Sequence, residues 1–384
     1  MRGQDRILTT HVGSLPRPQS VVDALFAQDQ GALNDETLFD ETVRPAVRAV
    51  VARQRAAGVD IVSDGEMSKI SYATYIRHRF TGFEPGAVPR AVPADLDDFP
   101  EYRDRLAREG ATPKYLRPVC TGPIAVKDEA PLQRDIARFR DALNALGEID
   151  APGAFMTAAS PGVIAVFQPN VYYPTREAYL QALAEALKSE YEAIVEAGFL
   201  LQVDCPDLAM ARHIQFRDAD DQEFIRNAEL QVEALNYALS AVPAESVRMH
   251  LCWGNYAGPH THDIPLELIL PVVFKAKPST IAFEASNPRH AHEWMVWRDA
   301  AIPENKVLIP GVVDSVSNFV EHPRLVAQRI TQFAALVGRE RVIAGTDCGF
   351  GTFAGFGTVH PDICFAKLAS LAEGAALASD QLWS

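Results

Sequence analysis

The stretch Val247-Arg248-Met249-His250-Leu251-Cys252 decides how the rest of the chain is read. It is a short apolar, β-like run ending on metal-compatible side chains. Two later runs end the same way, Thr280-Ile281-Ala282-Phe283-Glu284 and Val342-Ile343-Ala344-Gly345-Thr346-Asp347-Cys348. His250, Cys252, Glu284 and Cys348 together make a tetrahedral zinc set, and two thiolates favour zinc over magnesium or calcium. Structural zinc clips gather short-spaced pairs on loops, whereas these ligands are far apart in sequence, which points to an enzyme. Two thiolates donate much electron density, so the ion is a poor activator of water and a good holder of a third thiolate. A substrate thiol entering the shell would lose its proton and become a nucleophile at neutral pH, with Glu284 the ligand expected to yield its place.

Working outward, similar runs lie near 8–13, 60–65, 119–125, 153–159, 200–204, 247–252, 280–285, 307–313 and 342–347. Longer amphipathic stretches alternate with them, as expected of βα units around a parallel sheet. In 178–197, Leu180, Leu183, Leu187, Tyr191 and Ile194 repeat at helical spacing before Gly198. After Pro323, Val326, Ile330, Phe333 and Val337 do the same before Gly338. The pattern predicts an α/β fold, a (β/α)8 TIM barrel spanning 1–384 as one catalytic domain, with the run at 119–125 outside the ring. Residues 68–118 are too many for a plain connection. With Pro85, Pro89, Pro93, Pro100, Asp95, Asp97 and Asp98, they read as an extended lid or insertion over the barrel mouth.

A formal net charge of -14 over 384 residues disfavours nucleic acid or an anionic membrane as partner. The opening Met1-Arg2-Gly3-Gln4-Asp5-Arg6 has no apolar signal core, and no apolar run approaches the ~20 residues of a spanning helix. A cytoplasmic location is expected. Five cysteines, an odd number, suit thiols and ligands better than a disulfide framework.

Polar residues gather just after the strands, where barrel active sites lie. Glu66 and Asp204 are candidates to hold an ammonium group or a catalytic proton, with barrel-mouth hydrogen bonding as the plainer reading. Gly13 and Ser14 could offer backbone N–H groups to an anion, or simply form a tight turn. His260, His262, His290 and His292 read as ordinary loop and helix-start residues. Cys205 is expected to pack rather than ligate, because alternation turns it away from Asp204. Trp253, Trp294 and Trp297 suit either a pocket wall or the core.

Thr10-His11-Val12-Gly13-Ser14-Leu15-Pro16-Arg17, Asp64-Gly65-Glu66, His250-Leu251-Cys252, Phe283-Glu284 and Asp347-Cys348-Gly349 resemble the catalytic barrel of the cobalamin-independent methionine synthase superfamily over nearly the whole length. Gly258-Pro259-His260, Asp263-Ile264-Pro265 and Pro288-Arg289-His290-Ala291-His292-Glu293-Trp294 look most like its epoxyalkane:coenzyme M transferase branch. The resemblance implies zinc on His250, Cys252 and Cys348 with Glu284 exchangeable. It also implies a substrate-binding role for Ser14, Glu66 and Asp204. Where the methionine synthases carry a Tyr-Asp-Ile-His run that supplies a proton, this chain reads Val313-Asp314-Ser315-Val316. Asp314 remains as a catalytic candidate without the histidine.

Two functions follow, both using a small-molecule thiol and an alkyl donor. In one, a methyl group passes to a zinc-bound thiolate such as homocysteine, whose ammonium meets Glu66 or Asp204. In the other, a zinc-bound thiolate opens an epoxide, and the thiol's anionic end meets Arg17, Arg77 or Arg289. A catalytically silent zinc or thiol-binding protein is the third reading.

Overall fold

The computed structural model describes residues 3, 5–86, 92–108, 117–147 and 153–384. Pro89 therefore lies outside the described residues. The strands are β1 (Leu8–Thr9), β2 (Phe83–Pro85), β3 (Pro118–Cys120), β4 (Phe155–Ala159), β5 (Leu200–Asp204), β6 (Val247–Leu251), β7 (Thr280–Phe283), β8 (Val307–Val313) and β9 (Ile343–Thr346). Seven of them form one parallel sheet in the order β1-β9-β8-β7-β6-β5-β4. Its two edges meet through residues 61–63, by parallel bridges Thr10 to Ile61 and Ser63 to Phe155. The sheet is thus curled into a ring, the (β/α)8 barrel that the alternation predicts. The run at 119–125 supplies only β3, which pairs antiparallel with β2 outside the ring.

Apolar residues occupy both sides of the sheet. Ile61, Phe155, Ala282, Val307, Ile309 and Ile343 form a small inner cluster, and Arg248 lies with its guanidinium 4.1 Å from the centre of the Phe155 ring. Its Nη1 and Nη2 donate to the Thr10 hydroxyl and the His11 carbonyl, both at 2.8 Å. A much larger cluster joins the outer face to the helices. The periodic stretches form the helices Arg176–Glu196 and Pro323–Val337. The first starts where the Thr175 hydroxyl accepts the Ala178 N–H at 3.1 Å, supplying one of the orphan donors of a helix start. No helix among the described residues is long and apolar enough to cross a membrane.

The described parts of 68–118 include the helices Asp95–Asp98 and Pro100–Arg108. They are tied to loops beyond β5 and β6. Ala94 N–H donates to the His213 carbonyl at 2.8 Å, the Asp95 carboxylate accepts from Tyr256 and from His262 N–H, and Tyr102 donates to the Ala257 carbonyl.

Helix Pro361–Leu382 packs against Pro323–Val337 through Gly374, where an added Cβ would land inside the side chain of Val326. Gly374→Val should lower stability by ~1–3 kcal/mol through overpacking, read as a lower denaturant midpoint at unchanged slope.

Candidate metal and thiol-binding site

Each ligand-bearing strand ends at the same rim of the ring. His250 is within β6 and Cys252 just beyond it; Cys348 follows β9 by two residues. One ligand atom from each of these three lies within 4.8 Å of the other two, and all three residues are buried. The Cys252 and Cys348 sulfurs are 3.8 Å apart. That is too long for a disulfide. It matches the roughly 3.8 Å edge between two sulfurs each ~2.3 Å from one tetrahedral zinc. The donor set and spacing therefore fit zinc.

Surrounding groups hold the ligands in place. Asp204 Oδ1 lies 3.4 Å from His250 Nδ1 and accepts from the Gln202 amide at 2.8 Å, a carboxylate backing a ligating imidazole. Gly254 N–H donates to the Cys252 sulfur at 3.2 Å. Sharing a hydrogen bond with Cys252 pulls the Cys348 thiol down to about 6 against its burial, while the same contact pushes Cys252 up. Burial disfavours a charged His250 ring, yet Asp204 and Cys348 outweigh it and raise the ring to about 10. Thiolates and a neutral imidazole are the binding forms, so a metal that binds here releases protons.

Glu284 stays outside the group of three. Its Oε1 accepts the Trp253 N–H at 2.9 Å, and its Oε2 accepts from the Asn287 amide at 2.7 Å. Asp347, to which the sequence reading gave no role, clamps this region. Its carboxylate accepts from Ala285 N–H, Ser286 N–H, the Ser286 hydroxyl and Asn287 N–H at 2.7 to 2.9 Å. The residue before Cys348 thereby holds the segment after Glu284.

A pocket sits at the mouth of the ring. His250, Cys252 and Cys348 line it together with Ser14, Glu66, Asp204 and Asn255, while Tyr72, Phe167, Met210 and Phe353 form its apolar wall. Glu66 reaches it from a left-handed backbone (φ 56°) directly after Gly65 (φ 66°), a conformation uncommon for a residue with a side chain. Its Oε1 accepts from the Thr157 hydroxyl at 2.9 Å, and its buried Oε2 has no hydrogen-bond partner. Burial raises Glu66 to about 7, helped by Asp204 and opposed by Lys69, Arg17 and Thr157.

The other expected site residues fall in several places. Ser14 lines the pocket, but the Gly13 N–H is taken by His11 Nδ1 at 3.1 Å. Gly13 (φ 135°) is pressed so close to Thr157 that no side chain fits. Arg17 is buried behind Glu66, donating to the Glu66 and Gly351 carbonyls with Nη2 3.8 Å from the Glu66 carboxylate. Arg77 pairs with Asp29, and Arg289 is exposed. No lysine or arginine lines the pocket among the described residues. Asp314 accepts the N–H groups of Val316 and Ser317 at 3.1 and 2.9 Å and does not line the pocket. Cys205 packs in the outer core. Trp253 and Trp297 are buried; Trp297 stacks on Phe283, and Trp253 stacks on His290 at 4.2 Å.

His260 and His290 depart from the ordinary-loop reading of the sequence. Both are buried and gather with His213 around Asp263, partners from three separate loops that no local motif announces.

Residues 7–86 match the family model described as the cobalamin-independent synthase catalytic domain. A methionine synthase of Saccharolobus solfataricus is 26% identical over 380 residues, covering 97% of this chain and 95% of that protein. A B12-independent methionine synthase from Shewanella sp. W3-18-1, solved with selenomethionine, shares the fold at TM-score 0.69 and 18% identity, covering 98% of this chain and 99% of that one. A B12-independent methionine synthase described as putative, from Listeria monocytogenes, does so at TM-score 0.66 and 18% identity, covering 99% of each chain. With the relatives matching almost end to end and the barrel shared, the comparisons support the cobalamin-independent methionine synthase superfamily as the group this chain is similar to.

Proposed function

We propose that the protein is a zinc-dependent S-alkyltransferase that moves a methyl or similar small alkyl group to a thiol bearing an ammonium group, of the homocysteine type. One observation carries this reading. The pocket that holds the paired sulfurs is also lined by the carboxylates of Glu66 and Asp204, with Glu66 Oε2 free of hydrogen bonds and 3.8 Å from Arg17 behind it, and no lysine or arginine lines it among the described residues. An ammonium tail finds a partner there, whereas a sulfonate tail needs guanidinium groups. The epoxide-opening reading with an anionic thiol loses support because Arg17 is spent behind Glu66, Arg77 on Asp29, and Arg289 is outside. The relatives named methionine synthase support thiol methylation as the broader activity.

Zinc held by His250, Cys252 and Cys348 supplies one thing, ionisation of a thiol that enters its shell. The residues of the chain do the remainder. Glu284, drawn aside by Trp253 and Asn287, is the exchangeable fourth donor. Asp204 orients His250, so its part in substrate binding is shared with that task. Glu66 grips the ammonium, and Ser14 borders the same end of the pocket. The aromatic wall of Tyr72, Phe167 and Phe353 excludes water from the alkyl group. Asp314 shapes the loop after β8, and the described parts of 68–118 serve as the lid. All five cysteines are free thiols, which suits a reducing compartment such as the cytoplasm.

Cys252→Ala and Cys348→Ala should each strip zinc and abolish thiol alkylation while circular dichroism stays that of the folded barrel; retention of both metal and turnover would sink the assignment. Asp204→Asn should weaken zinc roughly 10–100-fold by loosening the imidazole, measured by chelator competition. Glu66→Gln should keep zinc and raise KM for homocysteine roughly 10–100-fold, the scale of a lost charged hydrogen bond. Because Glu66 ionises near 7, the wild-type advantage over that variant should be small below about pH 6 and full above about pH 8.

A further inference from the structure

We propose that Asp263, His260 and His290 form a second site for a divalent transition-metal ion, distinct from the sulfur pair. His260 Nδ1 and His290 Nε2 lie 2.9 and 3.0 Å from the same oxygen, Asp263 Oδ2. One ligand atom from each of the three lies within 4.8 Å of the others. Nitrogen and oxygen donors ~2.0–2.1 Å from a tetrahedral ion stand roughly 3.3 Å apart. Asp263 Oδ2 stands a few tenths of an ångström closer to each nitrogen than it would in such a ligand set.

The residues behind these three are arranged as they are behind metal ligands. A ligating histidine gives its far ring nitrogen to an acceptor, which fixes the ring. His290 Nδ1 meets Glu293 Oε2 at 2.9 Å, and His260 Nε2 meets the Tyr256 carbonyl at 3.1 Å. The carboxylate is held as well, its Oδ1 lying 3.0 Å from His213 Nδ1. His213, His260 and His290 are all buried. His260 keeps its position from a left-handed backbone (φ 54°), which is uncommon outside glycine.

Both nitrogens of His260 and both of His290 face groups that only accept. Two imidazoles and one carboxylate suit zinc, cobalt(II) or iron(II) better than magnesium or calcium. The ion joins the loop after β6 to the loop after β7. Those loops supply Trp253 and Asn287, the two donors that hold Glu284, so the second ion is a prop for the thiol pocket.

The test uses metal-stripped full-length protein reloaded with cobalt(II) and desalted. Wild type should retain two ions per chain, with a near-ultraviolet sulfur-to-cobalt band from one of them. The double variant Cys252→Ser, Cys348→Ser should retain one ion and lose the band, and Asp263→Asn with His290→Gln should retain one ion and keep it. A single sulfur-bound ion in wild type, or no ion in a cysteine variant that is folded by circular dichroism, would overturn the proposal and leave the cluster a hydrogen-bonded network. Absence of the band in wild type with one nitrogen- and oxygen-bound ion present would instead count against the thiol chemistry and leave this site standing.

Discussion

The sulfur contact between Cys252 and Cys348 is the constraint on which the site depends. The two residues follow β6 and β9, which are separated in the sheet by β7 and β8. In a flat sheet, three strand spacings of ~4.7–4.9 Å would put their backbones roughly 14 Å apart. Only curvature, with both side chains turned toward the axis, brings the sulfurs to 3.8 Å. The meeting of the two sulfurs is therefore a property of ring closure. The close approach of Gly311 to Asp347 and of Gly345 to Ile309, where β8 shifts register against β9, belongs to the same constraint.

Much of this was legible in the chain, and the reason is periodicity. Strand runs that end on His250, Cys252, Glu284 and Cys348 carry their own geometry, because a parallel barrel sends all such ends to one rim. Helices such as Arg176–Glu196 were equally plain from spacing and caps. What escaped was set by partners distant in sequence. Nothing near Asp347 tells that its carboxylate takes four donors from residues 285–287. His260 looks like a loop residue until Asp263, His213 and His290 are seen around it. Arg17 stood as a free cation in the sequence, and only packing reveals that Glu66 and Gly351 already occupy it.

Acidic side chains dominate the mouth, and the proposed choice of substrate rests on that charge rather than on motif likeness. Buried Glu66 and Asp204 face the pocket while Arg17 and Lys69 lie behind them, with Lys69 directed to Thr157. The cations temper the carboxylates without neutralising the cavity. A ligand that brings a positive group repairs an unfavourable burial, and one that brings a negative group worsens it.

The ring itself is uneven. Six seams between neighbouring strands carry pairing ladders, whereas residues 61–63 are stitched in by one bridge on each side. Glu66 hangs from that thin stitch, across the mouth from the paired sulfurs. On the proposed function, a molecule clasped at one end by Glu66 and at the other by the ligand trio would act as a rivet over this part of the wall, and its binding would stiffen the barrel.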